Sequence, residues 1–251
     1  MTYTHETTIE AVEMSDWGEG GPTAAPAGPA PTARPPLDLS VYLVTDTGQC
    51  ASIGVPETVR RAVAAGVSVV QLRDPDVDDE GFIALGRQLV AVLLGTGVPL
   101  IVNDRVELVR AIGAQGAHVG QGDLDVVRAR RLLGEEGYLG LSVHSLDELD
   151  DARVHLELID YLGIGPLRPT LSKPDHRDVR GLAHLHQIAA ASPWPCVAIG
   201  GVKAADAADL RAAGLEGMAV ISAICGQTDI EGATREFVDA WAAAAPMEEL
   251  R

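Results

Sequence analysis

The chain carries little positive charge and almost no lysine. Its 19 Lys and Arg residues face 36 Asp and Glu residues, which gives a formal net charge of −17 at pH 7, and Lys173 and Lys203 are its two lysines. This balance argues against nucleic acid as a partner, because phosphate backbones are bound by clustered Lys and Arg side chains. Any anionic ligand of this protein needs locally placed cations or a metal ion.

Cysteines and aromatic residues are also few. Cys50, Cys196 and Cys225 are odd in number and form no C-x-x-C pair, which predicts reduced thiols in a cytosolic protein rather than a disulfide framework or a zinc site. Aromatic residues make up 4% of the chain and hydrophobic residues 47%, so the core must consist mainly of Ala, Val, Leu and Ile.

Long hydrophobic runs are missing as well. The longest apolar stretch, residues 89–102, is interrupted by two glycines, a threonine and a proline and is too short to span a bilayer. The N-terminus is acidic and lacks the basic start and the apolar segment of a signal peptide. We therefore expect a cytoplasmic protein with no membrane partner.

The first 36 residues differ in composition from the rest. Residues 18–36 consist mostly of Gly, Pro, Ala and Thr, which bury too little apolar surface to offset the entropy of ordering the chain. This composition predicts a disordered tail over residues 1–36 and a single folded domain over residues 37–251.

In the folded domain, short β-rich runs alternate with helical patterns. The predicted strands are 41–46, 67–73, 100–104, 116–121, 138–144, 161–167, 195–201 and 217–224. The predicted helices are 56–65, 80–94, 105–112, 125–133, 145–158, 181–191, 204–213 and 230–244. Eight βα units with strands apolar on both faces predict the α/β class and a single (β/α)8 TIM barrel. A doubly wound sheet is the alternative, although no glycine-rich phosphate fingerprint follows the first strand.

Polar residues follow the predicted strands, where a barrel places its chemistry. Gln71 and Arg73 share one face of the second strand, and the arginine suits a phosphate or carboxylate, which could equally be a neighbouring Asp. Asp104 and Asp123 follow adjacent strands. Each alone is typical of a helix cap, but together they favour a shared Mg²⁺.

The second half of the predicted barrel carries candidate phosphate ligands. The loop after the sixth strand contains Thr170, Ser172 and Lys173, which combine neutral donors with a compact cation. Gly201 allows the backbone to approach an anion, and Ser222 offers a hydroxyl before the last predicted helix. His144, after the fifth strand, could act as an acid or base or orient its loop, and we favour the second role.

Six motifs, in order, resemble the thiamine-phosphate synthase family and span residues 40–225. They are Gln71-Leu72-Arg73, Val102-Asn103-Asp104-Arg105, Gly116-Ala117-His118-Val119-Gly120-Gln121 with Asp123, Gly165-Pro166 to Lys173, Ile199-Gly200-Gly201 and Val220-Ile221-Ser222. The resemblance implies a transferase of thiamine biosynthesis, with small phosphorylated substrates and a homodimeric state. It would join hydroxymethylpyrimidine diphosphate to a thiazole phosphate, or its carboxylated form, through Mg²⁺-assisted dissociative loss of pyrophosphate.

The resemblance also implies site residues. The implied metal ligands are Asp104 and Asp123. The implied contacts of the pyrimidine diphosphate are Gln71, Arg73, Asn103, Ser142 and Lys173, with catalytic roles for Arg73, Ser142 and Lys173. The implied contacts of the thiazole phosphate are Thr170, Ser172, Gly201, Ile221 and Ser222.

The chain departs from the family pattern at Pro75, where a lysine is usual. One cation for the diphosphate is therefore missing, and Arg105 or Arg168 is expected to compensate unless affinity is lower. Two other functions stay open at this point. One is a thiazole tautomerase of the same barrel family, which would use His144, and the other is a non-catalytic barrel that binds thiamine precursors.

Overall fold

The computed structural model describes residues 35–169 and 181–244. The predicted tail therefore lies outside the described residues except for Pro35 and Pro36. The carbonyl of Pro35 accepts a hydrogen bond from the Tyr138 hydroxyl at 2.9 Å.

Strands and helices alternate throughout the described residues. The strands are β1 (Val41–Val44), β2 (Val69–Leu72), β3 (Leu100–Asn103), β4 (Gly116–Val119), β5 (Tyr138–Val143), β6 (Tyr161–Ile164), β7 (Cys196–Ala198) and β8 (Gly217–Val220). The helices are α1 (Val55–Ala64), α2 (Asp79–Leu93), α3 (Val109–Ile112), α4 (Val126–Leu133), α5 (Leu146–Arg153), α6 (Gly181–Ala191), α7 (Ala207–Ala212) and α8 (Ile230–Ala243). Single 3₁₀ turns, Val106–Leu108 and Ala204–Asp206, precede α3 and α7.

The strands form a closed, all-parallel barrel in sequence order. Each strand pairs with the next, and β8 pairs with β1 through Met218 opposite Val41. Nearly every strand residue is buried because helices cover the outside of the barrel and side chains fill its inside. The predicted TIM barrel is confirmed, and the doubly wound alternative is wrong.

Local sequence signals set where the helices begin and end. Asp125 caps α4 by accepting hydrogen bonds from the amides of Val127 and Arg128. Ser145 caps α5 by accepting from the Glu148 amide, as its sequence predicts, and the Glu148 carboxylate accepts from the His144 amide at 2.6 Å. These caps fix where α4 and α5 begin. Because the strands are parallel, the βα loops before these helices lie at one end of the barrel. No helix among the described residues has the length and apolar character to cross a membrane.

Candidate functional site

Polar side chains gather where the strands end at their carboxyl termini, which we call the barrel mouth. Gln71, Asn103 and Ser142 each occupy the last or next-to-last position of β2, β3 and β5. Because all strands are parallel, these positions lie at one end of the barrel. The structure therefore brings the predicted pyrimidine-binding residues of three strands to the same end.

A chain of hydrogen bonds crosses the barrel interior between two of these residues. Gln71 Nε2 donates to Tyr42 Oη at 2.9 Å, and Tyr42 Oη lies 2.8 Å from Tyr161 Oη. Tyr161 Oη is 3.2 Å from His118 Nδ1, and His118 Nε2 is 2.9 Å from Ser142 Oγ. Side chains from β2, β1, β6, β4 and β5 thus form one connected polar network.

The two tyrosines of this network are fully enclosed. Tyr42 is 1% and Tyr161 0% exposed, and His118 is 7% exposed. Burial raises the pKa of the Tyr42 hydroxyl and of the Tyr161 hydroxyl well above their ordinary value, because a phenolate would lose its hydration. Both hydroxyls therefore stay protonated and can donate hydrogen bonds.

Arg73 lies just beyond β2 and is half-buried. Its side chain lines a cleft of about 380 Å³ with the β1–α1 loop and with residues 74–77. No ion pair within residues 35–169 and 181–244 includes Arg73. The Asp74 carboxylate, a partner we considered from sequence, instead accepts from Thr47 at 2.6 Å. Asp46, Asp74 and Asp76 line the same cleft, but none of them forms an ion pair with Arg73.

The arginines expected to replace the missing lysine at Pro75 are already engaged. Arg105 donates to the carbonyls of Val77 at 2.6 Å and Asp74 at 3.3 Å, and its guanidinium stacks on Phe82 at 4.6 Å. It braces the β2–α2 loop that carries Arg73 and Pro75. Arg168 is held by Asp206, as described below.

Two carboxylates follow the adjacent strands β3 and β4. Asp104 has a positive φ of 61°, and its amide donates to the His118 carbonyl at 2.9 Å, which fixes it beside β4. The carboxylate of Asp123 accepts from the Gly120 amide at 2.8 Å and so folds back over the end of β4. An added Cβ at Gly120 would lie 2.9 Å from that carboxylate oxygen, so a larger residue there would displace the Asp123 side chain.

These two residues fit a magnesium ion that is completed by other oxygens. No group of three or more His, Cys, Asp or Glu side chains suited to a metal occurs in the described part of the chain. Mg²⁺ usually takes one or two protein carboxylates and fills its octahedron with water and substrate phosphate oxygens. Asp104 and Asp123 are two carboxylates of the kind such a site uses, and both follow their strands at the barrel mouth.

Asn103 also lies at the barrel mouth. The residue is 7% exposed, and its amide group makes no hydrogen bond to the residues described here. Its place at the end of β3, one residue before Asp104, leaves the amide available for a ligand.

Only some of the predicted thiazole-phosphate contacts fall within the described residues. Thr170, Ser172 and Lys173 lie outside the described residues. Gly201 has φ 67°, and an added Cβ would lie 2.8 Å from Arg168 Cβ, so the β7–α7 loop packs directly on the β6–α6 loop. Arg168 fastens these loops, because its Nη2 contacts Asp206 Oδ1 at 2.7 Å and its Nη1 donates to the Gly201 carbonyl at 3.1 Å.

The position predicted for Ser222 needs a correction. Ser222 is exposed and follows β8, but α8 begins only at Ile230 and is capped by Asp229. A turn closed by the Cys225 amide and the Ile221 carbonyl at 2.8 Å intervenes. Ser222 and Ile221 (9% exposed) therefore lie at the mouth on a turn, not at the N-terminus of the last helix.

His144 has a structural contact that matches the role we favoured. Its Nδ1 is 2.7 Å from the carbonyl of Gly165, the residue that follows β6 by one position. The side chain thereby links the β5–α5 loop to the β6–α6 loop.

Sequence reasoning assigned no role to Tyr42, Tyr161 or His118. Their position in strands was predicted, and His118 lies within one of the family motifs. Period-two alternation could have placed Tyr42 on the same face as Val44, but not opposite Tyr161, because that pairing requires the closed barrel.

Comparisons with known proteins show which family this chain is similar to. A family model described as thiamine monophosphate synthase matches residues 41–224. A thiamine-phosphate synthase of Azorhizobium caulinodans is 44% identical over 200 residues, which cover 80% of this chain and 93% of that protein. Another, of Desulfitobacterium hafniense, is 40% identical over 206 residues, which cover 82% and 98%. The solved structure of a thiamine phosphate pyrophosphorylase from Pyrococcus furiosus has a TM-score of 0.74 at 29% identity and covers 84% of this chain and 98% of that chain.

Proposed function

Because the chain belongs to the thiamine monophosphate synthase family, we propose that residues at its barrel mouth bind the two substrates side by side and stabilise the pyrophosphate that leaves. The reaction joins the methylene carbon of hydroxymethylpyrimidine diphosphate to the nitrogen of a thiazole phosphate and breaks the bond from that carbon to the diphosphate oxygen. The products are thiamine phosphate and pyrophosphate, with carbon dioxide lost when the thiazole is carboxylated.

The pyrimidine ring binds against uncharged groups of the strand ends. Gln71 and Ser142 belong to the buried network and are held by its hydrogen bonds. The Asn103 amide lies between them in strand order, at the end of β3. These three side chains offer donors and acceptors to a ring and its amino group without placing a charge in the barrel interior.

The diphosphate binds on the charged side of the mouth. Arg73 supplies a guanidinium without an ion-pair partner among the described residues, and Lys173 is proposed as the second cation. Bound between Asp104 and Asp123, Mg²⁺ would supply further positive charge to the departing oxygens. Fixed charges that face the leaving group stabilise it without reorganisation at the moment of reaction.

The thiazole phosphate binds beside the loops after β6, β7 and β8. Gly201, Ile221 and Ser222 are proposed to contact its phosphate together with Thr170 and Ser172. The Arg168–Asp206 pair keeps the first two of these loops together. The thiazole nitrogen is thereby directed at the pyrimidine carbon, so that positioning replaces a protein nucleophile.

The cysteines lie in the interior, with Cys50, Cys196 and Cys225 1–2% exposed. Burial raises the pKa of the Cys196 thiol to about 11, whereas the hydrogen bond with the Cys225 thiol lowers the pKa of Cys50 to about 7. Because all three are buried, a mechanism that needs no protein nucleophile is consistent with their placement. A dissociative loss of pyrophosphate followed by capture of the pyrimidine cation requires water exclusion and charge stabilisation instead.

The observation that carries this proposal is the convergence of Arg73, Asp104 and Asp123 at one end of the barrel. Asp104→Asn and Asp123→Asn test it. Asparagine tolerates the positive φ of position 104 and can still accept from the Gly120 amide at position 123. The matched control is Asp125→Asn, because Asp125 only caps α4 and asparagine caps equally well.

The assay follows thiamine phosphate by mass, with Mg²⁺ or with excess EDTA. We expect each site variant to lose about a hundredfold in turnover and the control to match the unmodified protein. Site variants that turn over at the normal rate would contradict the metal assignment. The homodimer and the cytoplasmic location stay predictions, and sedimentation of the full chain tests the first.

A further inference from the structure

Three buried side chains inside the barrel have no proposed contact with either substrate. Tyr42, Tyr161 and His118 connect Gln71 to Ser142 through contacts of 2.9, 2.8, 3.2 and 2.9 Å. Buried polar groups of this kind are costly unless all are satisfied, and a satisfied network holds its members in one arrangement. Its two ends are the residues proposed to contact the pyrimidine.

Glycines on the neighbouring strands leave room for the side chains of this network. An added Cβ at Gly140 would lie 2.3 Å from both His118 Nδ1 and Tyr161 Cζ, and one at Gly163 would lie 3.0 Å from His118 Cε1. Gly140 pairs in register with His118 on one side and with Tyr161 on the other. The two rings therefore meet over a position where only glycine fits.

We infer the donor of each contact by starting from the Gln71 end of the network. With Gln71 Nε2 donating to Tyr42, the enclosed Tyr42 hydroxyl donates to Tyr161, and Tyr161 donates to His118 Nδ1. His118 then carries its proton on Nε2 and donates to Ser142 Oγ. No hydrogen bond among the described residues uses the remaining Ser142 hydroxyl proton or the Gln71 side-chain carbonyl oxygen, and both residues lie at the ends of their strands.

We propose that Tyr42, Tyr161 and His118 form a positioning relay that fixes Gln71 Oε1 as an acceptor and Ser142 Oγ as a donor, and thereby selects an amino-substituted pyrimidine. This inference rests on the proposed function. A carboxamide held in one orientation pairs with an amino group and the adjacent ring nitrogen, as glutamine does with adenine. A 4-oxo pyrimidine presents the opposite pattern there and is rejected because a fixed amide cannot turn to meet it.

The first test uses Tyr42→Phe and Tyr161→Phe, which remove one hydroxyl each and keep the ring. The matched control is Tyr138→Phe, because that hydroxyl bonds the Pro35 carbonyl at the start of β5, far from the mouth. The measurements are KM for each substrate, kcat, the ratio of kcat/KM for the amino and 4-oxo diphosphates, and direct calorimetric binding of the amino pyrimidine diphosphate.

The relay predicts a selective effect. KM for the amino pyrimidine diphosphate rises about five- to thirtyfold, the effect of one buried hydrogen bond, while KM for the thiazole phosphate stays unchanged. The preference for the amino over the 4-oxo substrate falls about tenfold or more, because the Gln71 amide is free to turn. In the Tyr138→Phe control, KM for each substrate and the preference for the amino substrate stay unchanged.

A second test distinguishes positioning from packing at His118. His118→Gln places an amide nitrogen where Nε2 donates to Ser142, whereas His118→Leu keeps the volume and removes the donor. Glutamine is expected to restore most of the pyrimidine affinity that leucine loses.

Several outcomes would overturn the relay. Relay variants that lose only thermal stability, with KM and the amino preference intact, would show a packing role. Equal KM increases for both substrates, or no difference between His118→Gln and His118→Leu, would do the same. An unmodified protein that forms no thiamine phosphate would instead refute the proposed function, and calorimetric binding would still report on the relay.

Discussion

Gly140→Ala is the sharpest test of the barrel interior as described. The new methyl carbon would lie 2.3 Å from His118 Nδ1, 2.3 Å from Tyr161 Cζ and 2.5 Å from Tyr161 Oη. Ordinary contact begins near 3.4 Å, so two hydrogen-bonded rings must each move by about 1 Å in a close-packed core. Overpacking of this kind costs about 1–3 kcal/mol of unfolding free energy. We expect a cost near the upper end of this range, about 3 kcal/mol, because both rings are buried and hydrogen-bonded.

Thermal unfolding measures this cost. A loss of about 3 kcal/mol lowers the Tm of a domain of this size by about 6–12 °C, and urea unfolding should show a lower midpoint with an unchanged slope. Gly163→Ala, with its nearest contact at 3.0 Å, should cost less, and Gly122→Ala should cost almost nothing, since no atom lies within 4 Å of its added Cβ. A Gly140→Ala protein as stable as Gly122→Ala would refute the placement of the two rings.

Three further predictions concern the loops of the mouth. Pro75→Lys should lower KM for the pyrimidine diphosphate, because it adds a cation beside Arg73 in the same cleft, and an unchanged or higher KM in steady-state assays would contradict this. Arg168→Ala should raise KM for the thiazole phosphate severalfold and leave KM for the pyrimidine diphosphate unchanged, which the same assays resolve. Burial raises the pKa of Asp206, but hydrogen bonds from Arg168 and from the Lys203 amide outweigh it and hold that pKa below its usual value. The stability contributed by Asp206 is therefore present above about pH 4 and lost as the pH falls through its lower folded pKa, so Asp206→Asn should flatten the acid side of the Tm-against-pH curve.

Much of the scaffold could be predicted because its signals are local. Helix ends follow from capping residues such as Ser145 and Asp125, and from glycines such as Gly113, which adopts φ 86° at the end of α3. The predicted strands were longer than the observed ones, since polar residues at their ends, such as Asp46 and Asp104, belong to the loops. That error did not affect the site, because barrel chemistry occupies this junction.

The relay and the loop contacts could not be predicted for a physical reason. Tyr42 and Tyr161 are more than one hundred residues apart and meet only when the barrel closes. The sequence also cannot show that Arg105 and Arg168, which we expected to compensate for Pro75, are instead held by the carbonyl of Val77 and by Asp206. Side-chain pairing of this kind depends on distances between loops, not on spacing along the chain.

The division of the site into a neutral interior and a charged rim follows from desolvation. A charge inside the barrel would lose its hydration at a cost of several kcal/mol, and the polar groups found there are the hydroxyls of Tyr42 and Tyr161, the His118 imidazole and the Gln71 amide. Arg73, Asp104 and Asp123, which we propose to bind the diphosphate and its metal ion, lie beyond the last residues of their strands, where their charges stay in contact with water. Although the chain has a net charge of −17, Arg73 forms no ion pair with a carboxylate of the described residues. In its loop, the Asp74 carboxylate instead accepts from Thr47, and Arg105 donates to the carbonyls of Val77 and Asp74.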